Sequence, residues 1–197
     1  QSWRRCLRRC WGRRIDGARA VCYNLRKRER AATAMEEAKR ILDEALMREA
    51  IALAREADAE EEVPVGCVVT LDGRIVGRGR NRRERGKSAL AHAEIEAIAE
   101  ACRTLGGWRL WQCTLYVTLE PCPMCAGAIM NARIPRIVYG AKDAVNGCCG
   151  SAIDLFLLPC SQKPEIVQGV LEPECAALMS GFFRRLREKR KKPPVVG

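Results

Sequence analysis

Hydrophobic and polar positions follow a regular pattern along most of the chain. In residues 36–58, apolar side chains recur at near-helical spacing within an Ala-, Leu-, Glu- and Arg-rich background, which predicts one long helix or two abutting helices. Residues 65–70 and 74–79 are β-prone runs on either side of Asp72-Gly73, a pair that favours a tight hairpin turn. The folded part of the chain is therefore expected to open with a helix and a β-hairpin.

Beyond the hairpin, the pattern predicts alternating helices and strands. The expected helices are residues 91–104 and 122–131, and the expected strands are residues 113–119 and 137–139. Towards the C-terminus the pattern predicts a short helix, a strand and a long helix, at residues 153–158, 166–171 and 173–190. This order of elements predicts an α/β protein whose mixed sheet carries helices on both faces.

Residues 1–34 differ from the rest of the chain. They are Arg-rich and show no clean helical or strand period, and the first 30 residues hold 11 basic but only 2 acidic side chains. A transit peptide would also be Ser-rich, and Ser2 is the one serine in those 30 residues. We interpret residues 1–34 as a basic leader that is disordered or reflects a start site set too far upstream. We expect a folded domain over residues 35–192 and a flexible tail over residues 193–197.

Charge and cysteine content narrow the class of protein. The net charge of +11 comes from the two ends of the chain, because residues 184–192 also hold seven basic residues and one acidic residue. Basic segments bind phosphates but are often only solvated, so charge alone leaves nucleic-acid binding open. No apolar run approaches the roughly 18 residues that span a bilayer, which excludes an integral membrane protein. The 12 cysteines are irregularly spaced with no signal peptide before them, and this favours free thiols in a reducing cytoplasm.

The candidate chemistry lies in two short motifs. The sole histidine, His92, is followed by Glu94 two residues later, and Pro121-Cys122-Pro123-Met124-Cys125 begins 29 residues after His92. Alone, a histidine is usually structural and Cys-x-x-Cys can be a redox pair. Together, one imidazole and two thiolates supply three zinc ligands and leave the fourth tetrahedral position open, which is typical of a catalytic site.

The spacing of these residues is compatible with one metal site. Cys122 and Cys125 share a face in the first turn of a helix that begins at two prolines. His92 and Glu94 cannot share a helix face, so they converge only where the metal lies at a helix N-terminus. Zinc lowers the pKa of a bound water from about 16 towards roughly 7, and Glu94 could take that proton and deliver it to a leaving group.

His-x-Glu followed by Pro-Cys-x-x-Cys is the signature of the zinc-dependent nucleobase deaminases. From about residue 35 to residue 190 the chain resembles the bacterial tRNA-specific adenosine deaminases, in residues 62–66, 81–82, 91–94, 114–122, 124–128, 174–178 and 182–184. The resemblance implies a three-layer α/β/α cytidine-deaminase-like fold with a mixed five-stranded sheet. It also implies a homodimer that hydrolyses the wobble adenosine in a tRNA anticodon stem-loop to inosine and releases ammonia.

The resemblance also implies roles for individual residues. One Zn²⁺ per subunit would be held by His92, Cys122 and Cys125, with Glu94 as the proton shuttle. The implied substrate contacts are Asn81, Ala93, Phe182 and Arg184. For Asn81, which follows a predicted strand, a purely structural role in a turn is the alternative. In one loop the chain departs from the family pattern: Val145 stands where the family usually has a lysine two residues after the aspartate, here Asp143, so one contact to the RNA backbone is in doubt.

Three points stay open at this stage. The last predicted helix carries an apolar stripe at Leu178, Phe182 and Leu186, which is expected to pack on the sheet, and the basic residues after it favour tRNA binding. One alternative keeps the chemistry but changes the substrate to a free base or nucleoside such as guanine or cytidine. Another is a zinc-stabilised RNA-binding module with a closed site, whose fourth ligand would come from Cys102, Cys113 or Cys148.

Overall fold

The computed structural model describes the backbone of residues 2–159 and 163–191, with side chains from residue 30 onward. The elements are α1 Ser2–Ala59, β1 Gly66–Leu71, β2 Arg74–Arg80, α2 Arg83–Gly86, α3 Ala93–Leu105, β3 Cys113–Leu119, α4 Pro123–Ala132, β4 Arg136–Ala141, a 3₁₀ turn Leu155–Leu157, β5 Glu165–Gln168 and α5 Glu172–Lys191. The chain divides into two compact units, Gln1–Ile41 and Leu42–Gly197. The sheet and the candidate site belong to the second unit.

The sheet has five strands in the order β2-β1-β3-β4-β5. Strand β1 is antiparallel to both β2 and β3, whereas β3, β4 and β5 run parallel to one another. A parallel pair cannot be joined by a tight turn, so α4 carries the chain from the end of β3 back to the start of β4. The predicted mixed five-stranded sheet is confirmed.

Alternating side chains of the central strands separate two helical layers. Cys67 and Val117 belong to the core shared with α3 and α4, and their neighbours Val68 and Tyr116 belong to the core shared with α1 and α5. Successive residues of a strand point to opposite faces, so each central strand contributes to both cores. The three-layer α/β/α arrangement is therefore also confirmed.

The hairpin and the packing of α3 both depend on glycine. Asp72 and Gly73 have φ values of +49° and +75°, which are the left-handed conformations of a two-residue hairpin turn. In β2, a Cβ atom on Gly79 would collide with the backbone carbonyl of Ala93, and one on Gly77 would collide with that of Ala97. Helix α3 therefore lies directly on β2, with no side chain between the two backbones.

A buried charged network attaches α1 to the sheet. Both Nη atoms of Arg136 donate to the Asp43 carboxylate, at 2.9 and 2.7 Å, and the Tyr116 hydroxyl donates to the same carboxylate at 2.9 Å. Burial, together with the Asp43 carboxylate, raises the pKa of Tyr116, so this hydroxyl remains a donor at neutral pH. The network aligns α1 with β3 and β4.

The structure corrects several sequence-based expectations. The absence of a helical period gave no helix in residues 1–34, yet the backbone is helical from Ser2. Arg, Ala and Leu are good helix formers, and extending an existing helix fixes only one residue per added hydrogen bond. Strand β5 ends at Gln168 instead of residue 171, because Gly169 and Leu171 have positive φ values that break the strand.

Three further points concern the short helices, the division of the chain and membrane-spanning segments. The short helix expected at residues 153–158 is a single 3₁₀ turn, and the four-residue helix α2 was not predicted. The division into leader, domain and tail stays a prediction, and residues 193–197 lie outside the described part of the chain. Among the helices that the structure describes, none is both long enough and apolar enough to cross a membrane.

Candidate active site

Two helices begin at the same place and bring the predicted ligands together. His92 is the residue immediately before α3, Cys122 is the residue immediately before α4, and Cys125 lies in the first turn of α4. The Nδ1 atom of His92 is 3.7 Å from Cys122 Sγ and 3.5 Å from Cys125 Sγ. All three ligand atoms lie within 4.8 Å of one another, and no other cluster of this kind occurs among the described residues.

These distances fit zinc. In a tetrahedral site with usual zinc bond lengths, a nitrogen ligand and a sulfur ligand are separated by about 3.5 Å. The donor set of one imidazole and two thiols is also one that zinc prefers. None of Cys102, Cys113 and Cys148 belongs to the group, which contradicts the closed-site alternative as far as the described residues extend. Three protein ligands leave the fourth position available for a water molecule.

The pKa values of the three ligand groups shift in different directions. A hydrogen bond from Cys125, with a smaller contribution from His92, lowers the pKa of Cys122 to about 4. The same contact with Cys122, together with burial, raises the pKa of Cys125. The hydrogen bond with Cys122 also raises the pKa of His92. Cys122 is thus the member of the group whose pKa shift favours the thiolate, the form of cysteine that binds zinc.

Glu94 lies beside these ligands, in the first turn of α3. Its side chain is 4% exposed, and it lines the same cavity as His92 and Cys122. Burial raises the pKa of Glu94, and the hydrogen bond that it makes with Cys125 acts in the opposite direction. The predicted proton shuttle thus lies in contact with the ligand group and faces the space that a substrate would occupy.

The site opens into a cavity of about 550 Å³. Of the predicted substrate contacts, Asn81 and Ala93 line this cavity. Phe182 does not line this cavity; it lines a second cavity beside Asp58 and Glu61. Its neighbour Phe183 lines the cavity at the site instead. Consecutive helical residues point about 100° apart, so only one of the two phenylalanines can face the cavity.

Arg184 is exposed and lines neither of these two cavities. Two other basic residues of α5 form ion pairs within the protein, Arg185 with Asp58 and Lys189 with Glu61. The Lys189 ammonium lowers the pKa of Glu61, as expected for such a pair. Part of the positive charge of α5 is therefore paired with acidic side chains of the same chain at the protein surface. Arg184, Arg187 and Lys191 lie on a different side of the helix.

Sequence reasoning missed Arg83, which lines the cavity from the start of α2. Its neighbours Arg82 and Arg85 form ion pairs with Glu96 at 3.9 Å and with Glu60 at 3.1 Å. The cluster of arginines after Asn81 was visible in the sequence, but no local pattern distinguishes the member that reaches the cavity.

The cavity is bordered by two segments, which we call the first rim loop (residues 81–87) and the second rim loop (residues 143–151). The second rim loop contributes Asp143 and Asn146 to the lining. Val145, at the position where the family usually has lysine, is 80% exposed and does not line the cavity. The loss of that positive charge changes the outside of the loop and leaves the ligand group intact.

A buried carboxylate holds the second rim loop. Glu120 follows β3 and accepts hydrogen bonds from the backbone N–H groups of Asp143 at 3.1 Å, Cys149 at 2.8 Å and Ser151 at 3.1 Å. Cys148 and Cys149 are both buried and free, as expected for shielded thiols. All eight cysteines whose side chains the structure describes are free.

Comparison with known proteins also indicates a zinc-binding deaminase. The family profile of the cytidine and deoxycytidylate deaminase zinc-binding region matches residues 40–141. The tRNA-specific adenosine deaminase of Bacillus subtilis (strain 168) is 48% identical over 150 residues, which are 76% of this chain and 93% of the relative.

Solved structures agree with this. One solved structure comes from work on A-to-I editing by tRNA:A34 deaminases at the wobble position of transfer RNA. It matches this chain with a TM-score of 0.66 and 44% sequence identity. The alignment covers 68% of this chain and 98% of that one. The guanine deaminase of Nitrosomonas europaea is 23% identical with a TM-score of 0.60, over 71% of this chain and 83% of its own, and shares the fold.

The sheet, the open ligand set and the neighbouring carboxylate together define a zinc-dependent deaminase. The chain belongs to the cytidine and deoxycytidylate deaminase family and, within it, to the tRNA-specific adenosine deaminases.

Proposed function

We propose that this protein converts the wobble adenosine of a tRNA anticodon to inosine by zinc-dependent hydrolysis, with release of ammonia. The observation that carries the proposal is the open His92, Cys122, Cys125 group beside Glu94 in one cavity, in a chain 48% identical to a tRNA-specific adenosine deaminase. Cavities of about this volume accept ligands of nucleoside size.

His92, Cys122 and Cys125 would hold the metal, which when bound supplies a Lewis acid that lowers the pKa of a coordinated water. Glu94 takes one proton from the attacking water and passes it to N1 of the purine; it then takes the second proton from the new C6 hydroxyl and passes it to the leaving amino group. The new bond forms between water oxygen and C6, the C6–N bond breaks, and the nitrogen leaves as ammonia. The adenine has to leave the base stack for C6 to reach this position.

The charges around the cavity support a nucleic-acid substrate. Arg83 places a guanidinium at the cavity, and the exposed cations on α5 include Arg184, Arg187 and Lys191. Phosphate contacts by Lys and Arg supply much of the affinity for RNA, so we propose that these residues hold the anticodon stem-loop. Phe183 is 39% exposed and lines the cavity, where an aromatic ring can stack on an unpaired base.

We also propose that the protein is a homodimer in a reducing cytoplasm. The large apolar side chains of Leu105, Trp108 and Trp111 are exposed near the C-terminal end of α3, and exposed apolar patches are typical of protein interfaces. The eight free cysteines suit a reducing compartment. Light scattering during size-exclusion chromatography should give about twice the chain mass of 22.0 kDa, and a monomer would contradict the dimer.

The test of activity uses the zinc-loaded protein and a synthetic anticodon stem-loop with adenosine at the wobble position. We expect one inosine per stem-loop by mass spectrometry, and no product from a matched stem-loop with guanosine there. Absence of inosine from protein with one zinc per chain would refute the proposal. Free guanine and cytidine are assayed in parallel, and a higher kcat/KM for either would instead favour deamination of a free base or nucleoside.

A further inference from the structure

Glu62 is a fully buried carboxylate whose three hydrogen-bond donors all belong to the first rim loop. Its Oε2 atom accepts from Asn81 Nδ2 at 3.1 Å and from the backbone N–H of Glu84 at 3.3 Å. Its Oε1 atom accepts from the backbone N–H of Arg85 at 2.8 Å. Glu62 is 0% exposed, and a buried carboxylate is tolerated only where such donors replace water.

This contact determines how the Asn81 amide is oriented. An amide has one end that accepts hydrogen bonds and one end that donates them, whereas a carboxylate only accepts. The NH₂ group must therefore face Glu62, which turns Oδ1 away from it. Asn81 is 4% exposed and lines the cavity, and no described residue donates to its Oδ1 atom. The carbonyl oxygen is thus the group that Asn81 offers to a molecule in the cavity.

The same carboxylate fixes the turn that carries Arg83. The N–H groups of Glu84 and Arg85 belong to the first turn of α2, and the residue before the helix, Arg82, makes no side-chain cap. Glu62 takes over the role that a capping side chain performs in other helices. One buried group thereby sets the position of two cavity-lining residues, Asn81 and Arg83.

We propose that Glu62 is a positioning residue of the deaminase reaction: it holds the Asn81 amide with Oδ1 facing the substrate, where that oxygen accepts a hydrogen bond from the bound nucleotide. This inference rests on the proposed function. The part of the effect of Glu62 that acts through Asn81 disappears when the Asn81 amide is removed, whereas its contacts with the turn that carries Arg83 remain.

The test exchanges the hydrogen-bond donor, Asn81, and the acceptor, Glu62, by substitution. Asn81→Asp places a second carboxylate against Glu62, and the repulsion should lower kcat/KM for the stem-loop about 100-fold, mainly through KM. Glu62→Gln alone should lower it about tenfold, because an amide offers one acceptor atom to three donors. In the double variant Asn81→Asp/Glu62→Gln, the new amide can donate to the new carboxylate and return an acceptor oxygen to the cavity. This variant should recover about tenfold over Asn81→Asp.

A merely structural role predicts the opposite for the double variant. If Glu62 only stabilises the fold, the two losses multiply, and a double variant no better than Asn81→Asp overturns the proposal. Zinc content and melting temperature are measured for every variant. Glu100→Gln is the matched control, because Glu100 also accepts a backbone N–H, from Arg78 at 3.1 Å, but lies outside the cavity lining. It should change neither KM nor the effect of Asn81→Asp.

A second comparison avoids substitution of Glu62, in case those variants do not fold. Asn81→Ala removes the amide, whereas Asn81→Asp adds a charge that faces Glu62. The Asp variant should bind the stem-loop at least about fivefold more weakly than the Ala variant. Equal losses would overturn the proposal. Because this ranking is measured as Kd, it decides the role of Glu62 even if the wild-type protein makes no inosine, an outcome that would refute only the proposed function.

Discussion

The proposed metal ligands and the rim loops lie at one cavity but are held in different ways. His92, Cys122 and Cys125 lie at the N-termini of two helices that pack against the sheet with fully buried alanines. Glu62 holds the first rim loop through three hydrogen bonds, and Glu120 holds the second rim loop in the same way. The chemical part of the site is therefore built into the core, whereas substrate recognition depends on a few polar contacts that can change without altering the fold.

Removal of a metal ligand should give the largest effect. Cys125→Ala takes away a buried ligand, so we expect loss of zinc and a fall in kcat/KM of at least about 1,000-fold. Metal analysis and the inosine assay measure both. Cys102→Ala is the control, since Cys102 is outside the ligand group and should leave zinc content unchanged. Retention of one zinc by the Cys125 variant would show that the ligand set is wrong.

Substitution of Glu94 should separate chemistry from metal binding. Glu94→Gln keeps the shape of the buried side chain but cannot take up a proton, so kcat should fall about 10²- to 10⁴-fold while zinc content stays the same. The melting temperature should not decrease, because an acid that is costly to bury has been replaced by a neutral amide. A loss of less than tenfold in single-turnover experiments would exclude Glu94 as the proton shuttle.

Substitution of Arg83 tests the rim loops directly. Arg83→Ala should raise KM for the stem-loop about tenfold with little change in kcat, because a phosphate contact contributes to binding. The slope of log KM against log salt concentration should fall by about one. Arg103→Ala, an exposed arginine near the other end of α3, should change neither quantity. An unchanged salt slope for Arg83→Ala would place the phosphates elsewhere.

The smallest effects are expected on α5, where two neighbouring arginines differ in their partners. Arg187→Ala should weaken stem-loop binding about threefold, measured by fluorescence anisotropy, because its charge is exposed. Arg185→Ala should change binding less but lower the free energy of unfolding in urea by at most about 1 kcal/mol, because it removes an exposed ion pair with Asp58. Equal effects of the two variants on binding would show that recognition does not distinguish these faces of α5.

The same contrast explains what the sequence could predict. The sequence could indicate that His92, Cys122 and Cys125 lie together, because each motif lies at the start of one helix and the spacing brings Cys122 and Cys125 to one face. The order of helices and strands along the chain likewise predicted a mixed sheet with helices on both faces. The contact between Glu62 and Asn81 spans 19 residues and joins two loops, and no periodic pattern encodes such a pair.

Two other errors have a physical origin of the same kind. The sequence suggested both Phe182 and Phe183 as part of a family motif, but only the rotation of α5 about its axis decides which one faces the cavity. The basic run of α5 was interpreted as a surface that favours tRNA binding, without a distinction between its members. Two of its members instead pair with acidic residues near the end of α1, 127 and 128 residues away in the chain.

The close contact between β2 and α3 has a consequence for how the protein can evolve. Gly79 never faces the cavity, yet the carbonyl of Ala93 lies directly on it, and Ala93 is flanked by His92 and Glu94. Any larger residue at position 79 would push the proposed metal ligand His92 and the proposed proton shuttle Glu94 away together. In a survey of tolerated substitutions, this glycine on an outer strand would therefore be as intolerant as the residues that carry out the reaction.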